Sequence, residues 1–306
     1  MHEGSKKAIF AAFLANMGIA LAKVTAAIIT SSASMLAESI HSFADTGNQG
    51  LLFLGGRRAA KPADEHHQFG YGAERFFWAF VVALVLFTLG ALFSLYEGYD
   101  KLTNPHQVDS PIVAFVVLGV AMVLEGLSLR TAVREANDHR KGRPWLQFIR
   151  STKNPELPVV LLEDTGAIAG LALALAGLTL AEVTNEARFD AVGSLAIGIL
   201  LAVIAIVLAV EMKSLLIGES AVGATERQIH TALDASPEVR SLIHMRTLQL
   251  GPEEVLLAAK VDFAVDDVRT LATAIDAVEA RIRDACGDVT VIYLEPDLDR
   301  SRTQPA

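Results

Sequence analysis

Three ionisable residues occur at helical spacing inside a long apolar segment of the chain. Glu38, His41 and Asp45 are separated by three and four positions, so a helix places all three side chains on one face. An imidazole nitrogen and carboxylate oxygens are donors that bind divalent first-row metals. Ionisable groups at membrane depth are costly and usually face a cavity or an ion pathway. The spacing predicts half of an ion site, with a buried polar pair that only fixes helix packing as the alternative.

A second acidic pair, Glu163 and Asp164, lies near the start of another apolar segment. The two residues are adjacent, so their side chains point about 100° apart on a helix. Asp164 is the firmer candidate, although Val160, four positions earlier on the same face, cannot bind a metal. Glu163 is either a further ligand or an interfacial acid near a helix N-terminus. The predicted ligands are His41, Asp45 and Asp164, with Glu38, Asn48 and Glu163 as candidates to complete the coordination.

Two other groups of polar residues could serve the same chemistry. Lys23 and Glu125, in the first and fourth apolar segments, could pair with each other or line a water path. A polar loop after the second apolar segment holds Asp64, His66 and His67. This loop is either a cytoplasmic site that loads the metal or a turn that docks the following helix.

The elements that must position these residues are membrane helices. The chain has 306 residues, of which 52% are hydrophobic, and a mean hydropathy of +0.40, which is too apolar for an ordinary soluble domain. Six segments are long enough to cross about 30 Å of hydrocarbon. They cover approximately 9–30, 34–56, 76–98, 111–131, 157–182 and 189–212. We therefore expect an all-α bundle of six membrane helices over residues 1–215.

Basic residues predict how this bundle is oriented. Lys6 and Lys7 precede the first span, and further Lys and Arg residues fill the connections between spans two and three and between spans four and five. The connections on the other side hold only Lys101 and Arg188. Since cytoplasmic loops carry the excess of Lys and Arg, both termini should be cytoplasmic. Few aromatic residues and no targeting signal suit a bacterial inner membrane.

The remaining residues read as a small soluble domain over 216–298, followed by a disordered tail over 299–306. Helices are expected at about 224–236 and 266–286, and strands at about 240–249, 254–264 and 289–295. This α-β-β-α-β order predicts an α+β fold of ferredoxin-like type, with helices on one sheet face. From Lys213 onward there are 10 basic and 16 acidic residues, which argues against binding of nucleic acid. The single cysteine cannot form an intrachain disulfide, and no nucleotide-binding motif is present.

Several of these segments resemble the cation diffusion facilitator family. The run from Ser34 to Asp45 is similar to the family's second span, and the run from His67 to Gly72 is similar to its H-x-F-G-x-G loop. The six spans and the α-β-β-α-β tail agree with the same family. The resemblance covers roughly residues 8 to 297.

The resemblance implies a homodimeric metal/proton antiporter that is not an enzyme and needs no cofactor. Its substrate would be a divalent cation, with Zn²⁺ first and Mn²⁺, Fe²⁺ or Co²⁺ as alternatives. The family's transport site maps onto His41, Asp45 and Asp164. The fourth ligand of many members would fall on Val160, where this chain departs from the pattern.

A second departure lies in the soluble domain. The positions of the family's metal-binding residues there map onto Ile243, Ala259, Tyr293 and Glu295, of which only Glu295 could bind a metal. We expect this domain to dimerise without that metal cluster. Two other functions stay open at this point. One is a non-transporting regulatory or scaffold subunit of a metal transport system, and the other, weaker one is an intramembrane metallohydrolase.

Overall fold

A computed structural model describes residues 3–140 and 142–300 of the chain. It divides into two compact units. The first, helical unit contains the residues up to Gly55 together with Trp78–Ile149 and Glu156–Met212. The second unit contains Gly56–Phe77, Arg150–Pro155 and the chain from Lys213 onward.

Helices account for most of the chain up to residue 217. They are α1 (Glu3–Thr30), α2 (Ala33–Ala59), α3 (Glu74–Val85), α4 (Phe93–Thr103), α5 (Pro111–Arg140), α6 (Trp145–Ser151), α7 (Glu156–Thr184) and α8 (Arg188–Ile217). A π-helical segment, Leu86–Leu92, joins α3 to α4. The short helix α6 and the π-helical segment were not predicted from the sequence. The tight reversal expected after Thr30 is present, with Ser31 in a left-handed conformation at φ 52°.

Four helices in the described part of the chain are long and apolar enough to cross a membrane: Glu74–Thr103, Pro111–Arg140, Glu156–Thr184 and Arg188–Ile217. The other two predicted spans correspond to α1 and α2. Of α1, Asn16–Thr30 is a shorter apolar helix. The buried face of α2 carries polar side chains, including Glu38, His41 and Asn48, which lower its hydropathy. The chain is therefore a multi-pass membrane protein, and the predicted count of six spans is confirmed for four of them.

A buried polar network ties α2, α4 and α8 of the first unit to the turn between α1 and α2. The carboxylate of Asp190, in the first turn of α8, accepts hydrogen bonds from Ser32 Oγ and the backbone amide of Ala33, each over 2.8 Å, and from Ser34 Oγ. Lys101 in α4 donates from Nζ to Asp190 Oδ2 over 2.9 Å and to the Ser31 carbonyl over 2.6 Å. Because Lys101 and Asp190 are fully buried, their charges are balanced by each other and by these hydrogen bonds.

The second unit contains the predicted α-β-β-α-β domain. Its elements are α9 (Gly223–Asp234), β1 (Val239–Gly251), β2 (Glu254–Phe263), α10 (Val268–Ala285) and β3 (Val289–Pro296). The sheet order is β1-β2-β3, with β1 antiparallel and β3 parallel to β2. Alternate residues of β2 pack against both helices. The centre of this core is formed by Leu257, Val261, Ile229, Leu233, Val278 and Ile282.

The boundary predicted at residue 215 lies close to the start of the last part of the second unit at Lys213. The unit also includes two segments between membrane helices, and one of them provides the ion pair between Lys153 and Glu219. The domain division into 1–215 and 216–298 stays a prediction. Of the tail predicted to be disordered, Asp299 receives a hydrogen bond from Ser241 Oγ over 3.2 Å, and residues 301–306 lie outside the described residues.

Candidate metal site

The histidine and aspartate of α2 form a pair, as their spacing predicts. His41 Nδ1 lies 3.4 Å from Asp45 Oδ1, and the imidazole is fully buried while 18% of the Asp45 side chain is exposed. Among the residues that the structure describes, neither ring nitrogen of His41 has a hydrogen-bond partner, and neither does Asp45 Oδ1. Buried polar atoms are normally satisfied, so these three atoms are suited to receive a polar ligand or an ion.

The acid pair of α7 divides between two environments. Glu163 is buried, and its Oε1 accepts a hydrogen bond from Asn48 Nδ2 of α2 over 2.6 Å. It is not a solvated interfacial acid, which was one of the two alternatives. Asp164 is half-buried, and its Oδ2 accepts a hydrogen bond from Ser128 Oγ of α5 over 3.0 Å. The two adjacent carboxylates thus contact different helices.

One small cavity in the helical unit brings the acids of α2 and α7 together. It is lined by Asp45, Glu163 and Asp164 together with Asn16, Ser42, Gln49, Glu125 and Val160. Val160 gives the cavity an apolar wall at the position where the family resemblance places a fourth ligand. The other predicted ligands, Glu38, His41 and Asn48, are buried residues of α2 that do not line this cavity.

The cavity is not already shaped as a closed coordination shell. Among the residues with described positions, no three His, Cys, Asp or Glu side chains converge as a ready metal site. A cation in the cavity would therefore need side chains of α2 and α7 to turn toward it. The donors that could do so are imidazole nitrogen and carboxylate oxygen, which suit divalent first-row metals.

A buried lysine forms an ion pair with Glu38, one of the candidate ligands. Lys23 Nζ lies 3.4 Å from Glu38 Oε2 and 3.8 Å from Glu125 Oε1, and it donates a 2.6 Å hydrogen bond to Ser42 Oγ. The predicted pairing of Lys23 with Glu125 is therefore present, and Glu38 joins it. The contact with Glu38 was not predicted, because the spacing of residues along α2 does not show which residue of another helix faces Glu38.

The polar loop before α3 is held by a single carboxylate. Asp64 Oδ1 accepts hydrogen bonds from the backbone amides of His66 and His67 over 2.9 and 2.8 Å, and Oδ2 accepts one from the Tyr71 hydroxyl over 2.6 Å. The bond from Tyr71, followed by the bond from the His67 amide, lowers the pKa of Asp64 below its usual 3.8. Both oxygens already hold the turn, which favours the turn over a loading site.

In the soluble domain, the one position of the family's cluster that could bind a metal is engaged elsewhere. Glu295 Oε1 lies 2.9 Å from Lys260 Nζ, which also contacts Asp297 over 3.0 Å. Ala259 is buried in the core, whereas Tyr293 is exposed.

Comparisons with known proteins agree with this arrangement. The transmembrane domain model of the cation efflux family matches residues 9–217. The mitochondrial proton-coupled zinc antiporter SLC30A9 of Homo sapiens is 32% identical over 263 residues, 85% of this chain and 46% of that protein. Metal tolerance protein C4 of Arabidopsis thaliana is 30% identical over 261 residues, 85% of this chain and 57% of that protein.

The chain thus spans about half the length of these curated relatives. A solved MamM C-terminal domain in its nickel form shares 21% identity, with a TM-score of 0.22, and covers 24% of this chain and 94% of that chain. Because the family model accounts for residues 9–217 of 306, the chain belongs to the cation diffusion facilitator family of cation efflux transporters.

Proposed function

We propose that this chain exports a divalent metal ion in exchange for protons, through the cavity between α2 and α7. The observation that carries the proposal is that Asp45 of α2 and Glu163 and Asp164 of α7 line one cavity. The imidazole of His41, which is buried and has no hydrogen-bond partner among the described residues, lies 3.4 Å from Asp45. Within a membrane such a concentration of ionisable groups is costly unless it serves an ion.

We infer that Zn²⁺ is the preferred substrate. One imidazole and two or three carboxylates form a donor set that zinc accepts. The set contains more oxygen than a site with two histidines, so Mn²⁺, Fe²⁺ and Co²⁺ stay as alternatives. Zinc is placed first because the human relative is named a zinc antiporter.

Proton coupling follows from the ligand types. Imidazole and carboxylate bind a metal only when unprotonated, so metal and protons compete for His41, Asp45 and Asp164. A cation entering from the cytoplasm would exchange part of its water for these groups. On the other side of the membrane, protons would occupy the same groups and release the metal. When the site reopens to the cytoplasm, these protons would be released there.

The setting of the transporter is part of the proposal. Both termini are placed in the cytoplasm, since the basic residues lie in the connections on that side. A bacterial inner membrane fits the composition, although the human relative is named as mitochondrial. The α-β-β-α-β domain would join two copies of the chain into a homodimer, and the lipid bilayer is the only other partner required.

The proposal is tested by metal flux into proteoliposomes that contain a metal-sensitive dye, under an imposed pH gradient. Zn²⁺, Mn²⁺, Fe²⁺ and Co²⁺ are each compared in the wild type, Asp45→Ala and Asp164→Ala. We expect gradient-dependent uptake in the wild type and its loss in both variants. Glu97→Gln is the matched control, because Glu97 is an acid of α4 that does not line the cavity.

Wild-type flux in both cavity variants would overturn the assignment of the site. A folded dimer without flux for any metal would instead favour the non-transporting regulatory subunit, for which the apolar Val160 in the cavity wall is the supporting feature.

A further inference from the structure

Lys23 places a buried positive charge beside the cavity that the proposed function assigns to the metal. Its side chain is fully buried, and its ammonium contacts α2 through Glu38 and Ser42 and α5 through Glu125. Two of these contacts, Ser42 and Glu125, line the cavity. The ammonium therefore contacts two side chains that line the space available to a cation.

Lys23 contacts two carboxylates, one of which, Glu125, borders that space. Glu38 Oε2 lies 3.4 Å and Glu125 Oε1 3.8 Å from Nζ. Glu125 is 16% exposed and borders the cavity, so without the ammonium it could present its oxygen to a metal. Asp45, Glu163 and Asp164 have no such cation among the contacts described above.

Glu38 is held from its other side by the backbone of α7. A Cβ atom at Gly170 would lie 2.2 Å from Glu38 Oε1, so a side chain at this position would displace the carboxylate from its present place. This oxygen is buried and has no hydrogen-bond partner in the described part of the chain. Glu38 is thus fixed between Lys23 and α7, and the ammonium supplies the positive charge that its carboxylate requires.

We propose that Lys23 determines metal specificity by withholding the oxygens of Glu38 and Glu125 from the transported ion. With Lys23 in place, the ion meets one nitrogen and a small number of carboxylates, a low-coordinate set that suits Zn²⁺. Without Lys23, the site gains oxygen ligands, which favours Mn²⁺. This inference rests on the proposed function, because it requires that a metal occupies the cavity.

The test is the ratio of the Kd values for Mn²⁺ and Zn²⁺, measured on the purified full-length chain in detergent by competition with a fluorescent indicator. The ratio is informative because a change of charge alone alters the affinity of both divalent ions alike, whereas a new oxygen ligand favours one. We expect Lys23→Met to tighten Mn²⁺ binding by roughly tenfold or more relative to Zn²⁺, since oxygen donors are gained. Lys23→Arg, which keeps the charge, should retain the wild-type ratio.

A second substitution shows which carboxylate is released. Adding Glu125→Gln to Lys23→Met should return the ratio toward the wild-type value, because the freed ligand is lost. Glu125→Gln alone, in a chain that keeps Lys23, should leave the ratio within about twofold, since a charge change alone acts on both ions. This single variant keeps the inference testable even where Lys23→Met does not fold.

The outcomes separate the two proposals. A wild-type chain that binds neither metal contradicts the proposed function itself. A wild-type chain that binds metal, with an unchanged ratio in Lys23→Met or a raised ratio of the Kd for Mn²⁺ to that for Zn²⁺ in Glu125→Gln alone, overturns the role of Lys23 and leaves the proposed function standing.

Discussion

Asn48 of α2 donates a hydrogen bond of 2.6 Å from Nδ2 to Glu163 Oε1 of α7, and both side chains are buried. This bond joins the two helices that carry the candidate ligands. It also gives Glu163 a defined position at the cavity. Asn48 therefore positions this carboxylate, while its own Oδ1 has no hydrogen-bond partner among the described residues and stays a candidate ligand.

Replacing Asn48 by Ala should lower the free energy of unfolding by about 1–3 kcal/mol, because a buried acceptor loses its donor. The measurement is chemical denaturation of the purified protein in detergent without metal, in a double-mutant cycle with Glu163→Ala. The two substitutions should be coupled, since each removes the same bond. Additive losses would show that the bond contributes nothing to stability.

The buried ion pair between Lys101 and Asp190 should contribute far more to stability than the ion pairs on the surface. Replacing Lys101 by Met leaves the Asp190 carboxylate buried without its cation, and such losses typically cost about 3–5 kcal/mol. Adding Asp190→Asn should restore part of the stability, because the uncompensated charge is removed. The readout is again the free energy of unfolding in detergent.

Arg188 and Glu186 provide the matched control for this experiment. Their ion pair is 3.9 Å long, and the two side chains are 61% and 50% exposed. Arg188→Met should change stability by less than about 1 kcal/mol. Equal losses in Lys101→Met and Arg188→Met would contradict a special contribution of the buried pair.

Where hydrophobic periodicity is strong, the helices and strands of this protein could be predicted from its sequence. Apolar length located the helices, and the alternation of helix and strand signals located the soluble domain, because both depend on local pattern. The pairing of His41 with Asp45 followed from their spacing of four residues. A tight reversal after Thr30 was expected from the short polar run that separates two apolar segments, whereas the left-handed conformation of Ser31 was not predicted.

Contacts between distant segments were not accessible in the same way. The burial of Glu163 and its bond to Asn48 depend on how α2 packs against α7, which no local pattern encodes. Lys101 was expected in a solvated connection, yet it lies fully buried against Asp190 at the end of α4. The partner of each side chain depends on how the helices pack. The spacing of residues along the sequence therefore could not distinguish ligands from the residues that support them.

The loop that contains Asp64 should lose its order when that carboxylate is removed, whether or not metal is present. Asp64→Ala eliminates the acceptor for the His66 and His67 amides and for the Tyr71 hydroxyl. We expect faster hydrogen exchange in the peptide that covers residues 62–72 at pH 7, measured by mass spectrometry. Glu65→Ala is the control, because it leaves these three bonds in place.

Acidification should have the same effect as the substitution. Hydrogen bonds from Tyr71 and from the His67 and His66 amides keep the folded pKa of Asp64 below its usual 3.8. The carboxylate therefore contributes to loop order at and above pH 3.8, and this contribution is lost as the pH falls through the lowered folded value. Unchanged exchange in Asp64→Ala, combined with slower metal uptake, would instead support a loading site, since the variant would then have lost a ligand while the turn was kept.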